Sequence, residues 1–280
     1  MKQVLFRIPG LGVPVYGFGF MLVVAFSAGW FLAGRRSRRE RLDPDVVYDV
    51  AAWLMIGGLV GARLFYVAEY WGEKVTTLGE ALRVWEGGIV FYGCVFGATA
   101  AFFLFRAVRA FPVLATLDAL APAVALGVSL GRIGCFLNGC CFGKVCRPPW
   151  PAVQFPANSL PWAAERARML IPRDAPVTLP LHPTQLYAAL SGLLLYALVS
   201  AYYPLRRRDG EVMALLMITF PVTQFFIEFL RDDEATLGSG FTIAQVVSLA
   251  LFATGLSLWS RLSRRPAFRL ADAAGDRPAA

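Results

Sequence analysis

Read for hydrophobic and polar positions alone, the chain alternates apolar runs with short, cation-rich breaks. About 20 apolar residues in a helix cross the roughly 30 Å hydrocarbon core of a bilayer. Runs of that length predict spanning helices at residues 13–33, 46–69, 88–108, 113–131, 185–203, 211–230 and 241–259. The predicted fold class is all-α, a polytopic integral membrane protein with about seven transmembrane helices in a single transmembrane domain over residues 1–265. The polar, Ala-rich segment 266–280 is expected to be a disordered cytoplasmic tail.

Composition agrees, because 57% hydrophobic against 16% charged residues leaves too little polar surface for a water-soluble domain. Charge then orients the spans, since Lys and Arg in short loops stay on the cytoplasmic side. One set of alternate loops, at 35–41, 106–109, 206–208 and from 261 on, holds fifteen cations; the other holds ten over much more chain. The N-terminus is therefore expected outside and the C-terminus inside. The net charge of +8 lies in membrane-flanking loops, so the partner it implies is membrane lipid and no nucleic acid. The strongest cationic cluster follows the first apolar run instead of preceding it, so that run is expected to remain as a helix.

Two outward segments break the pattern. Residues 73–86 carry Leu78, Leu82 and Trp85 at helical spacing, which suits a short helix lying at the interface. Residues 140–181 form a Pro-rich outward loop, too rich in proline for a regular spanning element and long enough to carry function.

Ionisable groups at membrane depth mark sites by default, and Arg63, Asp118, Arg132 and Glu228 are the candidates. Arg63 follows Gly57, Gly58 and Gly61, which admit a neighbouring helix closely; a snorkelling arginine is the alternative. Arg132 falls where the fourth span is expected to end, among Gly131, Gly134, Gly139 and Gly143, whose turns and exposed N–H groups suit an anionic phosphate. Gln224, Glu228 and Arg231 share one face of the sixth span, with an internal Glu228–Arg231 pair as the bland reading. His182, the only histidine, precedes the fifth span. Cys135, Cys140, Cys141 and Cys146 crowd the outer region and Cys94 lies in the third span. Disulfides, buried free thiols and a zinc site stay open, zinc being disfavoured by a single histidine and no Cys-x-x-Cys pair.

The segment from Gly131-Arg132-Ile-Gly134 through Asn138-Gly139 to Gly143, together with His182-Pro183-x-Gln185-Leu186-Tyr187, resembles the prolipoprotein diacylglyceryl transferase family. The resemblance extends to Tyr16-Gly17, Gly61-Ala-Arg63-Leu-Phe-Tyr66, Gly87-Gly88-Ile-Val-Phe-Tyr92-Gly93 and Ile227-Glu228-Phe-Leu-Arg231. It implies a reaction at the outer face of the bacterial cytoplasmic membrane that moves a diacylglyceryl group from phosphatidylglycerol to the lipobox cysteine of a preprolipoprotein. Glycerol phosphate is released, with no metal and no diffusible cofactor. By the same resemblance Arg132 holds phosphate and His182 or Tyr92 assists thiol deprotonation. Tyr16 and Asn138 line the headgroup cavity, Gly143 closes the signature, and Gln185, Gln224 and Glu228 contact substrate. Arg63 and Arg231 orient lipid or brace Glu228. The chain departs from the family pattern at Tyr92, where histidine is usual, and at Gln224, where arginine is. Cys135 and Cys140 replace an asparagine and an acid, and Ala188 a glutamate. A non-catalytic lipid-binding paralogue and a membrane thiol-redox protein are the alternatives.

Overall fold

The structure is a computed structural model that describes residues 4–7, 9, 14–73, 75–83, 88, 90–233 and 240–273. Two short strands, β1 (Val4–Arg7) and β2 (Pro14–Tyr16), pair antiparallel ahead of the helices. These are α1 (Gly17–Arg39), α2 (Pro44–Glu69), α3 (Leu78–Leu82), α4 (Phe91–Val108), α5 (Val113–Asn138), α6 (Leu160–Ala167), α7 (Thr184–Tyr202), α8 (Glu211–Glu228), α9 (Ile243–Ser263) and α10 (Leu270–Ala273). Among the described residues six helices are long and apolar enough to cross a membrane: α1, α2, α5, α7 with its 3-10 extension, α8 and α9. The shorter apolar stretch Gly93–Val108 occupies the third expected span. The protein is thus a mostly helical, multi-pass membrane protein. Large apolar side chains such as Leu190, Leu194 and Leu198 of α7 point away from the protein interior, as lipid-facing positions do.

Several boundaries differ from the sequence reading, two of them with a visible cause. The first helix starts at Gly17 because residues 14–16 are taken up by β2. The fourth does not end near residue 131 but continues to Asn138, so Arg132 and Cys135 stand on helix and not in a turn. The residue that ends it is Gly139, at φ +82 in the left-handed region that glycine enters freely; its N–H bonds back to the Cys135 carbonyl at 2.8 Å.

The chain forms two compact units, Ala33–Thr116 and Met1–Leu32 with Leu117–Ala280. In the first, α2 and α4 pack backbone to backbone through reciprocal glycines. A Cβ on Gly61 would lie 2.3 Å from the Gly93 carbonyl oxygen, and one on Gly97 would lie 2.2 Å from that of Gly57. α2 begins on Asp43, whose carboxylate accepts the Asp45 N–H, with Pro44 in the first turn. α3 closes a Thr77–Glu80 capping box and leaves Leu78 and Leu82 exposed; Trp85 lies outside the described residues.

In the second unit, Ala121 and Ala125 of α5 pack with Leu195, Val199 and Tyr203 and with Val212 and Leu216 of α8. Asp118 of α5, fully buried, accepts the N–H groups of Gly210 at 2.8 Å and Met213 at 2.9 Å, so it caps α8 from another helix. Arg206 pairs with it at 3.3 Å. Asp118 is therefore an architectural charge. The Pro-rich segment folds as a small head with its own core of Phe142, Phe155 and Leu181. Side chains replace a regular ladder there: Trp162 Nε1 donates to the Ala175 carbonyl, Thr178 Oγ1 accepts from Phe155 N–H, and buried Glu165 accepts from Leu179 N–H. Of the tail, residues 266–273 are held by the Leu270 N–H on Asp209 and a bridge from Phe268 to Arg208, while 274–280 lie outside the described residues.

Candidate functional site

The extension of α5 brings Arg132 to α8, where its Nη2 donates to Gln224 Oε1 at 3.2 Å. Gln224 Nε2 is buried and has no hydrogen-bond partner among the described residues. A buried donor beside a guanidinium is a place where an anion recovers two sets of bonds at once. One turn further along α8, Glu228 is buried and its two oxygens are engaged, Oε2 by Arg231 at 3.0 Å and Oε1 by Thr242 at 3.2 Å. Arg231 also holds Asp233, so the internal pair weighed from the sequence is present and extended.

The turn after Gly139 is pinned from α7. Gln185, fully buried, donates to the Cys140 carbonyl at 2.9 Å, and Thr184 Oγ1 donates to the Cys141 carbonyl at 2.7 Å. Gly143 pairs with Arg231, and a Cβ on it would sit 2.5 Å from the His182 carbonyl oxygen, so only glycine lets these segments approach. Asn138 touches the Cys140 thiol, whose acidity is raised chiefly by hydrogen bonds from the thiols of Cys135 and Cys141, against its burial. The Sγ atoms of Cys135, Cys140 and Cys141 all lie within 4.8 Å of one another. All five cysteines are free thiols.

Between α7 and α8 lies a groove of about 530 Å³ lined by Leu194, Leu195, Leu198 and Ile227, with Ser191 and Thr223 supplying hydroxyls. Its size and apolar wall suit a hydrocarbon chain. Thr223 precedes Gln224, so the groove adjoins the polar pair. Ser191, Thr223 and Thr184 were not singled out from the sequence; the one available signal was their place beside Gly192, Gln224 and Gln185.

Of the other expected site residues, His182 adjoins this cluster through Gly143. Tyr16 ends β2 and is exposed. His182 is half-buried, with Nδ1 3.4 Å from the Tyr187 hydroxyl. Arg63, in the other unit, donates to the carbonyls of Ala81, Glu80 and Gly88 and so braces the chain around α3. The side chain of Tyr92 lies outside the described residues.

The prolipoprotein diacylglyceryl transferase profile matches residues 3–261. The chain is 34% identical over 245 residues to the phosphatidylglycerol–prolipoprotein diacylglyceryl transferase of Synechococcus elongatus, covering 85% of this chain and 80% of that protein. It is 30% identical over 260 residues to the protein of the same name from Clostridium tetani, covering 93% and 97% respectively. A third relative so named, from Paracidovorax citrulli, is 31% identical over 270 residues, covering 90% and 93%. With a match over nearly the whole chain, the chain belongs to the prolipoprotein diacylglyceryl transferase family.

Proposed function

We propose that the protein transfers a diacylglyceryl group from phosphatidylglycerol to the lipobox cysteine thiol of a prolipoprotein. The reaction takes place at the outward face of the bacterial cytoplasmic membrane, with the N-terminus outside and the C-terminus inside. The observation that carries this reading is the Arg132–Gln224 pair with its unpartnered buried donor, next along α8 to an apolar groove. A phosphate on an acyl-bearing glycerol matches both halves of that arrangement.

The acceptor sulfur attacks the diacylglyceryl carbon that bears the phosphate. A C–S bond forms, the C–O bond breaks, and glycerol phosphate leaves with the bonding pair while the thiol proton passes to a base. Arg132 supports the charge that grows on the leaving phosphate, an interaction stronger in the transition state than before it. Gln224 donates a neutral hydrogen bond to the same group. Asn138 and Gly143 adjoin the headgroup, Gln185 holds the turn between them, Glu228 and Arg231 hold the adjoining wall, and Arg63 keeps the segment around α3 in place. His182 is assigned as the base that takes the thiol proton, with Tyr92 as the alternative.

The test is transfer of radiolabelled diacylglyceryl from phosphatidylglycerol vesicles to a synthetic lipobox peptide. Arg132→Ala is expected to lower the rate by about 10²- to 10³-fold. Full activity in that variant refutes the phosphate role, and lipid binding without transfer in the unaltered protein identifies a binding paralogue instead.

A further inference from the structure

We propose that Cys135, Cys140 and Cys141 form a three-thiolate site for one soft d10 cation of the zinc class, with its fourth position open to an external thiol. The three Sγ atoms converge within 4.8 Å although their residues are not in a Cys-x-x-Cys arrangement. Zinc–sulfur bonds of about 2.3 Å put tetrahedral sulfur ligands roughly 3.8 Å apart, so small side-chain rotations close the site.

The scaffold under the ligands is fixed by tertiary contacts. Cys135 stands on the last turn of α5 and Gly139 reverses the chain, which returns Cys140 and Cys141 to it. Cys141 itself sits at φ +58, where residues with a side chain are uncommon. Gln185 and Thr184, both buried, hold the carbonyls of Cys140 and Cys141 from α7. Preorganised ligands on a held backbone are what a metal site requires.

Charge and access agree. Three thiolates and a divalent cation leave one net negative charge, and Arg132 and Arg231 are both near enough to act on Cys141 electrostatically. All three cysteines are only partly buried. Three protein ligands with one open place is the arrangement of zinc sites that perform chemistry, whereas closed structural sites take four. A thiol entering the open place gives up its proton to a base and becomes a bound thiolate, with no electron transferred at a d10 centre. That the entering thiol is the lipobox cysteine rests on the function proposed above; metal binding itself does not.

The experiment uses full-length protein in phosphatidylglycerol nanodiscs, reduced and stripped of metal, titrated with Co²⁺ as the spectroscopic stand-in for zinc. One equivalent is expected to produce thiolate-to-cobalt charge-transfer bands that zinc displaces. Cys135→Ser, Cys140→Ser and Cys141→Ser each abolish them, while Cys146→Ser and Cys94→Ser keep them. In the unaltered chain, zinc protects the same three thiols from alkylation, read by mass spectrometry, which removes any dependence on variants that misfold. A lipobox peptide shifts the cobalt bands and its Cys→Ser counterpart does not. Absence of saturable bands, bands that survive Cys141→Ser, or alkylation unaffected by zinc overturns the site. A cobalt spectrum indifferent to the peptide overturns the open thiol position. Transfer without metal binding leaves the transferase standing and removes this proposal; metal binding without transfer does the reverse.

Discussion

Replacing Asp118 by alanine removes the side chain that caps α8 and makes the closest ion pair with Arg206. Gly210, the residue in the capping position at φ +99, has no side chain to satisfy the first-turn N–H groups, so the two bonds at 2.8 and 2.9 Å come entirely from α5. Arg206 is almost wholly buried and stacks 4.1 Å over the Tyr203 ring, leaving its charge no route to water. Breaking a buried pair by deleting one partner costs about 3–5 kcal/mol, and Asp209, 3.9 Å from Arg206, offsets part of that loss and sets the expectation at the lower end. Asp118→Asn keeps the shape and one acceptor and is expected to cost less, about 1–3 kcal/mol. Pairing Asp118→Leu with Arg206→Met removes both charges, so the double variant is expected to be more stable than the sum of the single losses allows. The assay is denaturant unfolding in mixed micelles followed by tryptophan fluorescence, carried around the full double-mutant cycle. Gln224 lies about 20 Å along α8 from its start, at 1.5 Å rise per residue, so transfer per folded molecule is expected to change little. A loss below about 1 kcal/mol for Asp118→Ala, or strict additivity of Asp118→Leu with Arg206→Met, refutes the capping argument.

Three other expectations follow from neighbouring geometry. Gln224→Glu puts a carboxylate against Arg132 where the amide oxygen now lies at 3.2 Å, so it is expected to raise KM for phosphatidylglycerol more than Gln224→Leu does; equal KM values argue against an anion at Arg132. Gly61→Ala forces a Cβ to 2.3 Å from the Gly93 carbonyl and is expected to destabilise by about 1–3 kcal/mol, whereas Gly127→Ala, which meets nothing within 4 Å, is neutral or mildly stabilising in thermal unfolding. Burial raises the Glu165 carboxyl above its usual range, so the folded head binds this proton more tightly than the unfolded chain; its stability is full below the ordinary glutamate value and falls as pH rises through the shifted one. Glu165→Gln is expected to flatten that dependence in hydrogen exchange of residues 155–180, and an unchanged pH profile counts against it.

The membrane class and the positions of the spans were legible in the chain because hydropathy over about 20 residues is a local property that the bilayer reads directly. The close helix pair was foreshadowed by Gly57 and Gly61, since a glycine repeated at four-residue spacing marks one helix face. The end of α5 was not legible: Gly131 and Gly134 advertise turns as strongly as Gly139 does, and only the backbone shows which of them leaves the helix. The Pro-rich segment was read as lacking a spanning helix, and none is found there among the described residues, yet nothing local announced that Phe142, Phe155 and Leu181 meet in a core.

The sequence by itself determined a multi-pass helical membrane protein, and its ordered motifs identified the family. The tertiary structure alone decided what the polar residues do. Asp118 and Gly210 are 92 residues apart, as are Arg132 and Gln224, and the first pair became a helix cap while the second became a hydrogen bond between α5 and α8. Three cysteines became a cluster because one left-handed glycine folded the helix end back on itself. Hydrophobic length is written along the chain, but the partner of a buried polar group is chosen by packing between segments that the sequence keeps far apart.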